Sequence, residues 1–151
     1  MTYSIRKLTL VGVISLSIVM GMSSFSCSEN PLKQTKASST LLSQVALKQQ
    51  QLASPTEERL GQMKSMGMRT EDLHSQRIYI YLPQQLTATQ ADELRALGIT
   101  LYLDSWIPPV GNHPTGFILA DMPVDKLNAL ASKDYIVKLD TAERKLELQL
   151  K

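Results

Sequence analysis

One stretch of this chain alternates, turns helical and alternates again, and it does so twice. Arg77-Ile78-Tyr79-Ile80-Tyr81-Leu82 has the period of two that a half-buried strand requires. Thr87 to Leu97 then places Ala91, Leu94 and Leu97 on one helical stripe, with Thr87 and Gln90 spaced as a capping box and Gly98 set to end the helix. Ile99 to Asp104 returns to alternation. The second passage runs through Gly116 to Ala120, Val124 to Ser132 and Tyr135 to Asp140. Glu93-Leu94-Arg95-Ala96-Leu97 in the first passage is answered by Lys126-Leu127-Asn128-Ala129-Leu130 in the second.

Two β-α-β units in succession predict an α+β fold of the ferredoxin-like kind, β-α-β-β-α-β, with four antiparallel strands backed by two helices on one side. Ile78, Ile80 and Leu82 point toward the helices, whereas Tyr79 and Tyr81, with Tyr102 from the second strand, point to the helix-free side. The segment 106–115 carries Pro108-Pro109, Gly111-Asn112 and His113-Pro114, which predicts an exposed loop between the central strands. Trp106 is expected to close the edge of the core.

Ahead of the repeat, two short helices are expected within 39–76. Leu41, Leu42, Val45, Ala46 and Leu52 mark the inner side of the first, with Gln44, Lys48, Gln49 and Gln51 elsewhere. Ser54-Pro55-Thr56-Glu57 reads as the cap of the second, and Gly67 as its end. Met63, Met66 and Met68 are spaced as packing residues, and the alternative is Cu(I) held by thioethers. Beyond the repeat, 141–151 alternates strictly from Lys145, with Leu146, Leu148 and Leu150 on one side. That pattern suits an edge strand or an extended arm that meets a partner, and a helix from Thr141 is the further alternative, since Ala142, Leu146 and Leu150 are four apart.

The amino terminus has the order of a secretory signal: Arg6 and Lys7, an uncharged and mostly apolar run from Leu8 to Met20, then small residues before Cys27. The chain has one cysteine, so it forms no internal disulfide. The position of Cys27 resembles the acylated cysteine of bacterial lipoproteins, which implies a signal peptide over 1–26, a polar tether over 27–38 and attachment to the membrane through the lipid. The alternatives are an ordinary signal-peptidase cut, giving a periplasmic or secreted protein, and a retained anchor.

Charge excludes some functions. Sixteen Lys and Arg face fourteen Asp and Glu with no basic run, so nucleic acid is not an expected partner. Only His74 and His113 could serve as histidine bases, and both lie in expected loops. No phosphate-binding glycine loop or metal-spaced cluster accompanies them, so the chain reads as a non-enzyme without a cofactor.

The segment 77–140 is similar to the propeptide domain of subtilisin-type proteases, the peptidase-inhibitor I9-like group. The similarity rests on Arg77-Ile78-Tyr79-Ile80-Tyr81-Leu82, Asp92-Glu93-Leu94-Arg95-Ala96-Leu97-Gly98-Ile99, Phe117-Ile118-Leu119-Ala120 and Lys126-Leu127-Asn128-Ala129-Leu130-Ala131. The resemblance implies that the helix-free face packs on an exported serine protease and that the carboxyl-terminal extension enters its cleft. Tyr79, Tyr81 and Tyr102, with Leu146, Leu148 and Leu150, occupy the matching places. No protease follows within these residues, so the expectation is a stand-alone inhibitor, folding helper or adaptor. The alternative is a structural envelope lipoprotein with no peptidase partner.

Overall fold

The structure, a computed structural model, describes residues 36–144. Two helices, α1 (Ser39–Ala53) and α2 (Glu57–Ser65), precede β1 (Ser75–Leu82), α3 (Ala88–Ala96), β2 (Thr100–Ile107), β3 (Gly116–Pro123), α4 (Leu127–Ala131) and β4 (Lys138–Thr141). The strands form one antiparallel sheet in the order β2-β3-β1-β4. This is the α+β, ferredoxin-like arrangement that the doubled alternation predicts. Among the described residues no helix is long and apolar enough to cross a membrane. Cys27, the apolar run before it and Leu146, Leu148 and Leu150 lie outside the described residues.

Alternation fixes the register. Ile78 pairs with Ala120 and Ile80 with Ile118 across β1 and β3, and Ile80 pairs with Leu139 of β4, so one face is aliphatic throughout. Leu94, Ile99, Leu127, Leu130 and Ile136 close over that face, together with Leu41 and Val45 of α1. The preface helix is therefore part of the same core. Fully burying each such side chain contributes about 1.5–3 kcal/mol.

Helix ends follow local chemistry. Thr87 caps α3 in a complete capping box with Gln90. Gly67 and Gly98 adopt φ of 76° and 82°. Each ends its helix with the paired back-bonds of a Schellman turn, Met68 N to Met63 O and Ile99 N to Leu94 O among them.

Several boundaries differ from the sequence reading. Thr56, not Ser54, caps α2, because the Ser54 amide already closes α1 on Gln50 O while the Thr56 hydroxyl accepts from Arg59 N. β2 runs to Ile107 and so takes in Trp106, which packs partly buried against the core. A register irregularity between Tyr102 and Ile107 makes this possible. There the Ser105 hydroxyl donates to Tyr102 O and accepts from Leu119 N, replacing a lost ladder bond. α4 is one short turn, since Pro123 stays in β3 opposite Ser75 and Val124 N donates to His74 O. Ile136 sits in a turn and is buried; pairing with β1 begins at Val137 N, which donates to Tyr81 O. That turn accounts for the odd spacing of Ile136 and Leu139.

Candidate functional site: the helix-free sheet face

Residues of odd number in β1 and β3 turn away from the core. Arg77, Tyr79 and Tyr81 of β1 stand opposite Asp121, Leu119 and Phe117 of β3. β2 adds Thr100 and Tyr102, and β4 adds Lys138 and Asp140. Among the described residues no helix covers this face: α1, α3 and α4 pack into the core on the other side, and α2 packs on α1.

The centre of the face is aromatic. Tyr79 meets Phe117 edge-on with ring centroids 5.2 Å apart, and Tyr81 meets the same ring at 5.7 Å. Such pairs contribute about 0.5–1.5 kcal/mol beyond the area they bury and hold the rings in fixed orientations. The ammonium of Lys138 lies 5.2 Å from the centroid of Tyr81. At this end Tyr81 and Phe117 continue into an open depression of about 250 Å³ that is completed by Ile107, Pro108, Val110 and His113.

The other end is ionic. Asp121 accepts two bonds from Arg77, Nε at 2.9 Å and Nη2 at 3.0 Å, and one from Arg69 Nη1 at 3.2 Å. The Tyr102 hydroxyl donates to the same carboxylate at 2.7 Å, and the Arg77 guanidinium sits 5.5 Å from the Tyr102 ring centroid. Partial burial works to raise the Asp121 carboxyl, but Arg77, Tyr102 and Arg69 outweigh it and hold the group below the usual carboxylate range. At the β4 margin, Asp140 is similarly held low by Ser38, Arg144 and Lys138 against its burial.

The three tyrosines named from the sequence thus share one surface, with unequal roles. Tyr79 and Tyr81 form an aromatic row with Phe117, whereas Tyr102 is committed to the Arg77–Asp121 cluster. Met63 and Met68 are buried and Met66 forms the C-cap of α2, as packing residues do. Among the described residues no group of three or more His, Cys, Asp and Glu is arranged to hold a metal ion.

A second polar centre escaped the sequence reading. Gln44, Lys48 and Gln51 of α1 are buried, while Leu52 is exposed. Lys48 Nζ lies 3.1 Å from Glu143 Oε2 and donates to Ser75 O at 2.6 Å. Glu143 also accepts from the amides of Arg69 and Arg77, each at 2.9 Å. Gln44 Nε2 donates to Glu143 O at 2.8 Å, and its amide oxygen accepts from Gln76 and Thr141. Burial pushes the Lys48 ammonium below its ordinary range, against the pull of Glu143. The signal was present: residues 41, 44, 45, 48 and 51 follow one helical stripe, and the polar members belong to it.

These contacts bind the preface to the chain's other end. Lys36–Ser38, at the close of the stretch read as tether, run beside β4, with Ser38 N donating to Leu139 O and Leu139 N to Lys36 O. Comparison with protein-family models, curated proteins and solved structures finds no match to this chain.

Proposed function

We propose that the protein is an exported, non-enzymatic protein-binding module that uses its helix-free sheet face as the contact surface. The observation that carries this reading is the partly exposed Tyr79–Phe117–Tyr81 row, which no helix among the described residues covers although the domain has two additional helices at hand. Rigid aromatics on an accessible surface supply contact area at small entropic cost, which is why they concentrate where proteins meet. The ionic cluster at one end and Lys138 at the other give the surface polarity along its length.

The resemblance to subtilisin-type propeptides supports an exported serine protease as the partner, with the carboxyl-terminal residues Leu146, Leu148 and Leu150 as a second contact. The signal-like amino terminus and Cys27 support a lipid-anchored place in a bacterial envelope. Titration of a purified subtilisin-type protease tests the partner. The expected result is inhibition that weakens when Tyr79 and Tyr81 are both replaced by Ala. Digestion of the protein as an ordinary substrate, with no inhibition, contradicts it.

A further inference from the structure

The backbone of β2 sorts its polar groups residue by residue. Tyr102 pairs with Leu119, and the Ser105 hydroxyl bridges Leu119 N to Tyr102 O, so Tyr102 turns its carbonyl toward β3. In a trans peptide the N–H of the next residue points the opposite way. Leu103 therefore aims its N–H out of the sheet, and the alternation of an antiparallel ladder sends the polar groups of Leu101 outward as well. Among the described residues no strand lies beyond β2 to take them.

The opposite edge is closed. Lys36–Ser38 runs along β4, with Leu139 N donating to Lys36 O at 2.8 Å and Ser38 N to Leu139 O at 2.9 Å. β2 is thus the open edge of the described sheet, and proteins ordinarily blunt such an edge with lysine or proline. Thr100–Ile107 has neither, and its single charge is Asp104. It exposes Tyr102 at 36 %, Leu103 at 38 % and Ile107 at 46 %.

The strand is complementary to itself. Two copies related by a two-fold axis at Tyr102 align Leu101 of one with Leu103 of the other, so the Leu103 N–H of each copy meets the Leu101 carbonyl of the other. The two leucine pairs share the helix side of the sheet, since Tyr102 lies on the helix-free side, and directly opposed apolar pairs are what stabilises such a ladder. Asp104 of each copy falls beside Thr100 of the other. That end of the strand carries Arg95, which borders the same depression as Leu101 and Leu103 and whose carbonyl accepts from Gly98 N where α3 turns into β2. Opposite charges therefore come together at both ends of the pairing. An axis at Leu103 instead sets Leu101 against Ser105 and carries the pairing into the irregular part of the strand.

We propose that the open edge of β2 pairs with the β2 edge of a second copy of this chain, in an antiparallel two-fold contact that joins the two sheets into one. Because each copy offers one open edge, the association closes at two. The ladder is short, since the regular pairing of β2 ends at the irregularity after Tyr102, so the contact is weak and fills at high local concentration. It uses the sheet edge and not the Tyr79–Phe117–Tyr81 row, and it does not rest on a protease partner.

Sedimentation equilibrium and amide exchange on the full chain at rising concentration test the proposal. The expected result is a monomer–dimer equilibrium with no larger species, in which the Leu103 amide slows with concentration while the Tyr102 amide, already turned to β3, does not change. Leu103→Lys keeps the backbone and places a charge at an exposed edge position, so it is expected to be monomeric with an unchanged melting temperature. Leu103→Pro deletes the outward N–H, a change that an edge strand tolerates, and is expected to be monomeric too. Leu103→Lys decides the matter should the proline disturb the strand. A monomer at every concentration overturns the proposal, as does a dimer in which the Leu103 amide gains no protection or one that survives in Leu103→Lys.

Discussion

Lys48 and Glu143 form an ion pair sealed from solvent, 3.1 Å apart with side-chain exposures of 0 % and 2 %. The pair joins the first helix to the residues just past the last strand, and it carries its own hydrogen-bond shell. Desolvating two charges offsets much of their attraction, so the pair contributes register more than stability. Breaking it is another matter. Glu143→Gln leaves Lys48 charged and buried, at an expected cost of about 3–5 kcal/mol in urea denaturation. Adding Lys48→Met to that variant is expected to restore part of the loss, since Gln can still accept from the Arg69 or Arg77 amide. Strictly additive losses in the double variant would contradict a coupled pair.

Asp121 predicts how stability responds to acid. Its carboxyl is held below the ordinary range despite burial, so the folded state favours the ionised form. The resulting stabilisation is complete above the unfolded-state value of about 3.9 and disappears as pH falls through the lower folded-state value. Asp121→Asn removes this dependence. Chemical denaturation followed from pH 7 downward is expected to show a shallower acid loss in the variant, and an unchanged slope would show that Arg77 and Tyr102 do not stabilise the charge.

Two glycines predict opposite signs. A Cβ on Gly116 would stand 2.2 Å from the carbonyl oxygen of Ile107 and 2.6 Å from the Trp106 ring, so β2 and β3 meet there only because no side chain intervenes. Gly116→Ala is expected to destabilise by about 2 kcal/mol or more, as backbone must move. Gly61, in α2, has nothing within 4 Å of that position. Gly61→Ala is expected to stabilise by about 0.5–1 kcal/mol through helix propensity. Thermal unfolding of the pair checks both, and a loss on Gly61→Ala would place that face of α2 against a neighbour.

The sheet and its two faces were legible because strand alternation in β1 and β3 survives folding intact: Ile78, Ile80 and Leu82 are inside, and Tyr79 and Tyr81 are out. Capping was legible at Thr87 and Gly98, where the signal is local. What depends on distant partners was not. Gln44 and Lys48 look like solvent-facing residues until Glu143, nearly a hundred positions later, supplies the counter-charge. The extension of β2 through Trp106 likewise depends on Ser105 reaching Leu119 across the sheet, which no periodicity encodes. Phe117 could have been placed on the aromatic face, since alternation in β3 sets it opposite in direction to Ile118, whereas its pairing with Tyr81 is a matter of register.

The proposed use of the aromatic row as a contact surface can be tested apart from folding. Tyr79 and Tyr81 are partly exposed and outside the core. Replacing both with Ala is expected to cost about 1–2 kcal/mol of stability from lost ring contacts, while binding to a partner falls by more than 2 kcal/mol if these are its anchors. Calorimetry with the wild type and the double variant separates the two effects. Equal affinity for both proteins would remove the tyrosines from the interface.

Site-specific photocrosslinking measures the use of this face most directly. A photoreactive residue in place of Tyr81 samples the helix-free face, and one in place of Gln49 samples the helical side as a control. In envelope fractions the Tyr81 position is expected to yield one discrete adduct with an exported serine protease, and the Gln49 position none. The same adducts at both positions, or none at Tyr81, would contradict a binding role for the aromatic face.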